Sequence, residues 1–591
     1  MFFNSFLLLA GLLPIQTDTL KAVVVTADKG VIVSRTDTLV INPAQTVSDV
    51  LNSNSSLFVS DNGGYAGLKT VSLRGLGSSH SSIYIDGIRV GNVQSGQADL
   101  GMFGLSSFSS VVVDYAQNSI NFTSAKPSMR KRVSGEVAFQ GGAWNSYLPL
   151  ARLNVKLSEN VVSSFSAGGV FSKGNYTYGE DKSVRENNDI KQGQFGADFW
   201  GTTQKGYWQT KAYFNVSERG VAGSVNDPSE DRQKDKNFFV QGRLTSRFTD
   251  IYELIASAKF AYDYMGYESS WGDNYYKQFE EQINTSHLFR FARWFTLSAS
   301  LNTSFDNLCS DNYEAFRTNL NTVLTTTFHT EKLRVNLSVD YLGAFDKDGE
   351  NRTAVMPSAD LRIKLVEGFD FLTFGRRAYR IPTFNELYHV GFGNPNLKCE
   401  DAWLTEVGFE WNKGIDNWNL QAKADYFFNF LNNKITSAPT PEDPNIWAPY
   451  NIGKVKTNGL DISLKSKYTS DLWTFELGAK YTLQSSLDKT EDSYTHDQQI
   501  PYVAKHSFAL NMNLGYSGWA LNTIYNHKSG RQDSSGDLSA WNTLDISLSK
   551  TFSSKYTVFV TARNITNTRY EISSGYPMPG ASVQGGFNIK F

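Results

Sequence analysis

Residues 542–564, NTLDISLSKTFSSKYTVFVTARN, interleave Leu544, Ile546 and Leu548 with Asp545, Ser547 and Ser549. After a turn at Ser553, Ser554 and Lys555, Tyr556, Val558 and Val560 alternate with Thr557 and Thr561. A period of two across a short polar turn is the pattern of an antiparallel hairpin with one apolar and one polar face. Such runs recur twenty-two times, from 134–143 to 579–591. Their connections are unequal in a regular way. Short links (SEN at 158–160, QKG at 204–206, TEK at 330–332, SSK at 553–555) fall between long ones at 175–189, 220–236, 267–281, 378–400, 433–452 and 486–503. So many one-sided strands cannot share one water-excluded core. Closing them into a cylinder turns the apolar face to lipid and removes every free strand edge. Short turns at one end and long loops at the other are the arrangement of an outer-membrane barrel. The expected fold is therefore an all-β membrane protein, a 22-stranded antiparallel transmembrane β-barrel over 131–591. Seven of the twelve tryptophans (Trp200, Trp208, Trp294, Trp411, Trp418, Trp473 and Trp519) fall beside short turns, as an interfacial girdle requires.

Other classes find little support. A net charge of −2 gives no polycationic footprint for nucleic acid. Two cysteines, Cys309 and Cys399, make neither a disulfide framework nor a zinc cluster. The seven histidines show no metal-ligand spacing, and no phosphate loop or nucleophile elbow is present. The reading contains no catalytic residue, no metal site and no cofactor, and the protein is not expected to be an enzyme. The apolar run Phe6–Leu13 has the length of an export-signal core and is too short for a helical span, so 1–16 reads as a signal peptide although it lacks a basic start.

Residues 18–128 follow another pattern: Gly-rich turns, short strands and a helix over Val47–Asn52, capped by Thr46 or Ser48. A 22-stranded bore is too wide for side chains to fill, so this globular segment, 29–130, is expected to plug it. Here the chain resembles the TonB-dependent outer-membrane receptors. The likeness rests on DTLKAVVVTA (18–27), VSLRGLGSSHSSIYIDGIRV (71–90), YRIPTFNELYHVGFGNPNLKCE (379–400), and ARNITNTRYE (562–571) with a terminal Phe591. Cys399 stands where the family pattern has proline, and Lys21 and Ala22 interrupt the first motif.

The resemblance implies energised import across the cell outer membrane. It implies a TonB box and linker over 17–28 in which Asp18, Thr19, Leu20, Val23, Val24 and Val25 engage TonB of the inner-membrane TonB–ExbB–ExbD complex. An extended β-branched stretch suits strand addition to a partner. Outer-membrane lipids are partners, and a surface lipoprotein lid is compatible with the family. A small-molecule ligand is expected at the plug apices (Ser78, Ser79, His80, Asn92, Gln94) and on the aromatic stretch Tyr264, Tyr267, Trp271, Tyr275 and Tyr276. The leading ligand is cobalamin (vitamin B12), because the DTL box and RGLGSS look most like cobalamin receptors. Haem is an alternative through His389 with His80, an iron siderophore is another, and a passive porin is the remote one. Arg74, in SLRGLG, is expected to latch the plug to wall acids such as Asp461 and Asp545.

Overall fold

Alternation along the second part of the chain becomes a closed wall. The computed structural model describes residues 36–41, 45–128, 131–270, 272–440, 447–491, 493–533 and 536–591. Among them, twenty-two antiparallel strands run from Val133–Gly142 to Ser582–Lys590 and close on themselves, with Gln584 opposite Gly142 and Lys590 opposite Glu136. The hairpin Trp541–Phe552/Tyr556–Arg563 shows why. Leu548, Val558 and Val560 stand exposed on the outer face, whereas Thr543, Thr557 and Thr561 are buried on the inner one. The last strand repeats this, with Val583, Phe587 and Ile589 outside and Ser582, Gln584 and Asn588 inside. No backbone edge is left facing lipid.

The strands outrun the expected boundaries at one end. Segments 220–236, 267–281 and 433–452, expected as loops, are largely continuations of paired strands: Gly206–Ser224 meets Asp227–Arg247, and Trp418–Pro439 meets Trp447–Thr469. These strands have 19 to 23 residues, about twice what a bilayer needs. Beyond the lipid both faces meet water, so alternation ceases to mark a strand while the hydrogen-bond ladder continues. Cys309 lies on strand Phe295–Ser310, and both cysteines are free thiols. The girdle is also smaller than expected. Trp294, Trp418, Trp473 and Trp519 are exposed, but Trp200 is buried on the inward phase it shares with Asp198.

Inside the bore sits the plug. Its five-stranded sheet has the order Thr36–Val40, Phe108–Asp114, Ser119–Ser124, Ser82–Ile85 and Ile88–Val90, with Leu57–Asp61 and Lys69–Leu73 as a separate pair. Leu51, Ile85, Leu100, Val111, Val113, Ile120 and Phe122 form its dry centre. That apolar cluster continues onto inward side chains of the wall, including Tyr213, Phe239, Phe374 and Leu404.

The helix Val47–Asn52 is set by a capping box. Thr46 Oγ1 accepts from the Asp49 N–H at 3.2 Å, and Asp49 Oδ2 accepts from the Thr46 N–H at 2.7 Å. Thr46→Ala is expected to destabilise the plug by about 1 kcal/mol, read as a lower urea midpoint for plug unfolding with the barrel intact. An unchanged midpoint would show that the cap is idle.

Candidate functional site: a vestibule above the plug

At the end away from the short turns, plug and wall enclose a cavity of about 500 Å³, within the range of small-molecule sites. Plug segments around Ala66–Leu68 and Gly91–Met102 form its floor, and Arg219–Gly223, Asp235, Phe239 and Asp263–Met265 form its wall. The floor is shaped by local turns. Asn92 Oδ1 accepts from the Ser95 N–H at 2.8 Å and from Ser95 Oγ at 3.1 Å. Gly96 has a φ of +70°, and a Cβ there would lie 2.8 Å from Thr383 Cγ2. Only glycine fits this crossing.

Gln94 ties that turn to the wall. Its N–H donates to Gln278 Oε1 at 3.1 Å, and its carbonyl accepts from the Asn385 N–H at 3.0 Å. Asn385 belongs to the short helix Phe384–Tyr388, started by a second capping box between Thr383 and Glu386. A cation fastens the other side of the floor. Arg219, on the wall, lies 2.8 Å from Asp99 Oδ2 and donates to the Ala66 carbonyl at 3.1 Å, so one guanidinium holds two plug apices. Asp99 also accepts from the Lys69 and Gly101 N–H groups.

The expected site residues divide. Asn92 and Gln94 line the vestibule, and so does part of Tyr264. Ser78, Ser79, His80 and His389 do not. Ser78 Oγ donates to Gln97 Oε1 at 2.8 Å, and Ser79 sits half-buried in the same 3-10 turn. His80 bonds Glu400, which Arg380 grips at 2.8 and 2.9 Å while also holding Glu386 at 2.9 Å. His389 sits instead beside Tyr313 and Phe392, with Nδ1 3.0 Å from the Val390 carbonyl oxygen. The two histidines share no partner, so the fold does not assemble them as a ligand pair.

The tyrosines divide too, because they lie on paired strands rather than in a loop. Tyr267 donates to Asp231 Oδ2 at 2.6 Å, and Tyr276 is buried against Leu308 and Phe384, both on the inner face. Tyr264 and Tyr275 take the outer phase, under Lys236 and Lys277. Trp271 and the stretch Asp18–Val25 lie outside the described residues.

Deeper in the bore lies Arg74, at φ +51°, its position set by the flanking turn. Its Nη2 is 2.9 Å from Asp461 Oδ2 and 2.6 Å from Glu406 Oε2, and its Nε donates to Asp461 at 3.1 Å. The guanidinium also lies between the rings of Tyr115 (4.4 Å) and Phe427 (4.2 Å). Burial alone would lower its pKa, but Glu406 and Asp461 hold it above the ordinary value. Beside it, Tyr115 donates to Asp37 at 2.7 Å, and wall Lys480 meets Asp37 at 2.9 Å. Burial, with Asp37 alongside, pushes the Tyr115 phenol well above its usual range.

Asp461 was an expected partner of Arg74; Glu406 takes the place expected for Asp545. Asp545 instead accepts from the Asn564 N–H at 2.6 Å, next to the Asp49–Arg563 pair. Glu406 had a readable signal, as a buried acid on the inward phase that also carries Glu400, Ala402 and Leu404. Arg219 and Asp99 had none.

Comparison with known proteins agrees with this architecture. The model of the family described as "TonB dependent receptor-like, beta-barrel" matches residues 49–565. The chain is 21% identical to the vitamin B12 transporter BtuB of Vibrio vulnificus (strain YJ016), over 89% of this chain and 86% of the relative. Among solved structures, the FrpB iron transporter from Neisseria meningitidis (F3-3 variant) superposes with a TM-score of 0.78 at 14% identity, over 94% of this chain and 99% of that one. The siderophore receptor PirA from Acinetobacter baumannii gives 0.76 at 13%, over 96% and 100%. These likenesses establish the fold, and the family match extends over most of the sequence. A closed, plugged barrel with this coverage places the chain in the TonB-dependent receptor family, as an outer-membrane protein that transports a ligand.

Proposed function

We propose that this receptor imports a corrinoid, cobalamin or a close relative, captured in the vestibule and drawn inward on demand from TonB. The observation that carries the reading is the similarity, over 89% of the chain, to a vitamin B12 transporter, joined to a vestibule floored by the Asn92–Gly96 turn. Amide and backbone groups facing a wall that mixes Val221, Phe239 and Met265 with polar side chains suit a large ring-bearing ligand with amide side chains. The separate partner sets of His80 and His389 weigh against an axial pair for haem. In this scheme residues 1–16 direct export and 17–28 carry the coupling box. Residues 29–130 are the plug, Arg74 latches it, and 131–591 are the barrel.

Calorimetric and spectral titration of purified protein with cobalamin, cyanocobinamide, haem and a ferric siderophore tests this. Saturable corrinoid binding is expected, weakened about tenfold in an Asn92→Ala/Gln94→Ala variant that loses two hydrogen-bonding side chains. Binding of haem or the ferric siderophore, with none of either corrinoid, would replace the reading.

A further inference from the structure

A second cavity, of about 890 Å³, lies between plug and wall along the seam where the first and last strands of the barrel meet. Its wall side comes from Val133–Gly142, Ser146–Ser158, Val161–Ser172 and the strands up to Arg563, and its plug side includes the Val47–Asn52 helix and Tyr65. It extends from Trp144, at the long-loop end, to Ser553 and Lys555 in one of the short turns. One inward rung keeps it open. Asn588, Ala138, Leu150, Gly168 and Gln194 pair in succession, and Ala138 and Gly168 put almost no side chain into the bore.

Among the described residues, Phe103 alone lines both this seam and the vestibule. Phe103 and Gly104 link two 3-10 turns, Leu100–Met102 and Leu105–Ser107. The Phe103 ring is buried, with its centroid 6.2 Å from that of Tyr213 and 6.3 Å from that of Phe122. Wall side chains hold the backbone on either side of it. Gln192 Nε2 donates to the Gly101 carbonyl at 3.2 Å, and Gln194 Nε2 to the Met102 carbonyl at 3.0 Å. Tyr213 donates to the Met102 carbonyl at 2.7 Å and accepts from the Gly104 N–H at 3.4 Å. One ring thus separates two cavities, and side-chain bonds that water can replace keep its link in place. Gly104, without a Cβ, lets the backbone beside the ring re-aim.

We propose that Phe103 gates the transport path: the ligand leaves the vestibule where this ring swings aside, enters the seam and descends beside the plug to the short-turn end. The route passes the Asp49–Arg563 pair, which ties the plug helix to the wall. It follows a cavity already present, widened as the plug shifts, and the plug need not leave the bore. The inference rests on transport itself and holds whichever ligand is carried.

Planar-bilayer conductance of the purified protein in potassium chloride tests the path without any ligand. Phe103→Ala joins the two cavities and is expected to raise the current above the parental level. Ala138→Trp fills the seam, so the Phe103→Ala/Ala138→Trp variant should return to the parental current. Val137→Trp places the same bulk one residue away on the lipid face and should leave the Phe103→Ala current intact. General loosening of the plug would pass current on every side, and Ala138→Trp would not stop it. Current persisting in that double variant, or no rise in Phe103→Ala, would overturn the gate. Heat-modifiable gel mobility shows whether each variant has folded. Should Phe103→Ala fail, Phe103→Leu must give a smaller rise. Should Ala138→Trp fail, Gly168→Leu on the same rung fills the seam instead, since a Cβ there has no contact closer than 3.4 Å. In cells, Ala138→Trp alone should slow radiolabelled cyanocobalamin accumulation about tenfold, with surface binding unchanged. Parental accumulation by that variant would overturn the path. No accumulation by the parent itself would fault the corrinoid reading, and the conductance series then decides the path.

Discussion

Arg74→Ala is expected to loosen the plug by about 3–5 kcal/mol, the cost of leaving buried carboxylates without their cation. Glu406 and Asp461 both lose their shared partner, and the rings of Tyr115 and Phe427 lose the group between them. The change should appear as a lower urea midpoint for plug unfolding. Planar-bilayer conductance should rise from near zero, while the unheated barrel keeps its gel mobility. Removing the acids together with the arginine (Arg74→Met/Glu406→Gln/Asp461→Asn) should recover much of the loss, because no orphan charge remains. A buried ion pair contributes little net stability over an apolar replacement, and its larger effect is the penalty when it is broken. That asymmetry would suit a latch, with the Lys480–Asp37 and Arg219–Asp99 pairs as further ties between wall and plug. A single variant with parental midpoint and parental conductance would remove the latch role.

Leu20→Pro should reduce uptake to background while leaving ligand affinity at the cell surface unchanged. Strand addition uses main-chain N–H groups, and proline lacks one and fixes φ. Leu20 is not among the residues lining the vestibule, so ligand contacts there should be untouched. Radiolabelled corrinoid accumulation, compared with binding to whole cells at low temperature, separates the two. Parental accumulation by the variant would show that Asp18–Val25 is not the coupling segment. Failure of corrinoid to bind at all would instead count against the ligand and leave the coupling question open to whatever ligand does bind.

The barrel was legible because lipid imposes a simple rule on every strand. Hairpin 542–564 alternates under that rule, and each of the twenty-two expected runs overlaps a barrel strand. The rule stops where the lipid stops. Tyr264 and Tyr275 therefore read in sequence as one aromatic stretch with Tyr267 and Tyr276, whereas ladder pairing sends them to opposite faces. Trp200 fails for a related reason: proximity to a turn does not say which side of the wall a ring faces.

For the site, sequence identified the Gly-flanked Arg74 and the Asn92–Gly96 turn, both of which announce themselves by local backbone chemistry. Of the two acids that Arg74 meets, more than 300 residues away, it gave Asp461 but not Glu406, and it did not give Arg219 closing on Asp99 and Ala66.

By itself, then, the order of residues determined a cylinder, its apolar exterior, the end that bears short turns and the presence of a stopper, since each follows from periodicity or from short-range turn chemistry. Only the tertiary structure decided which wall residues face which plug residues. The plug is a separate sheet seated in a bore, and the relative register of two bodies that exchange no β-ladder is fixed by long-range packing and charge pairing, which leave no period in the chain.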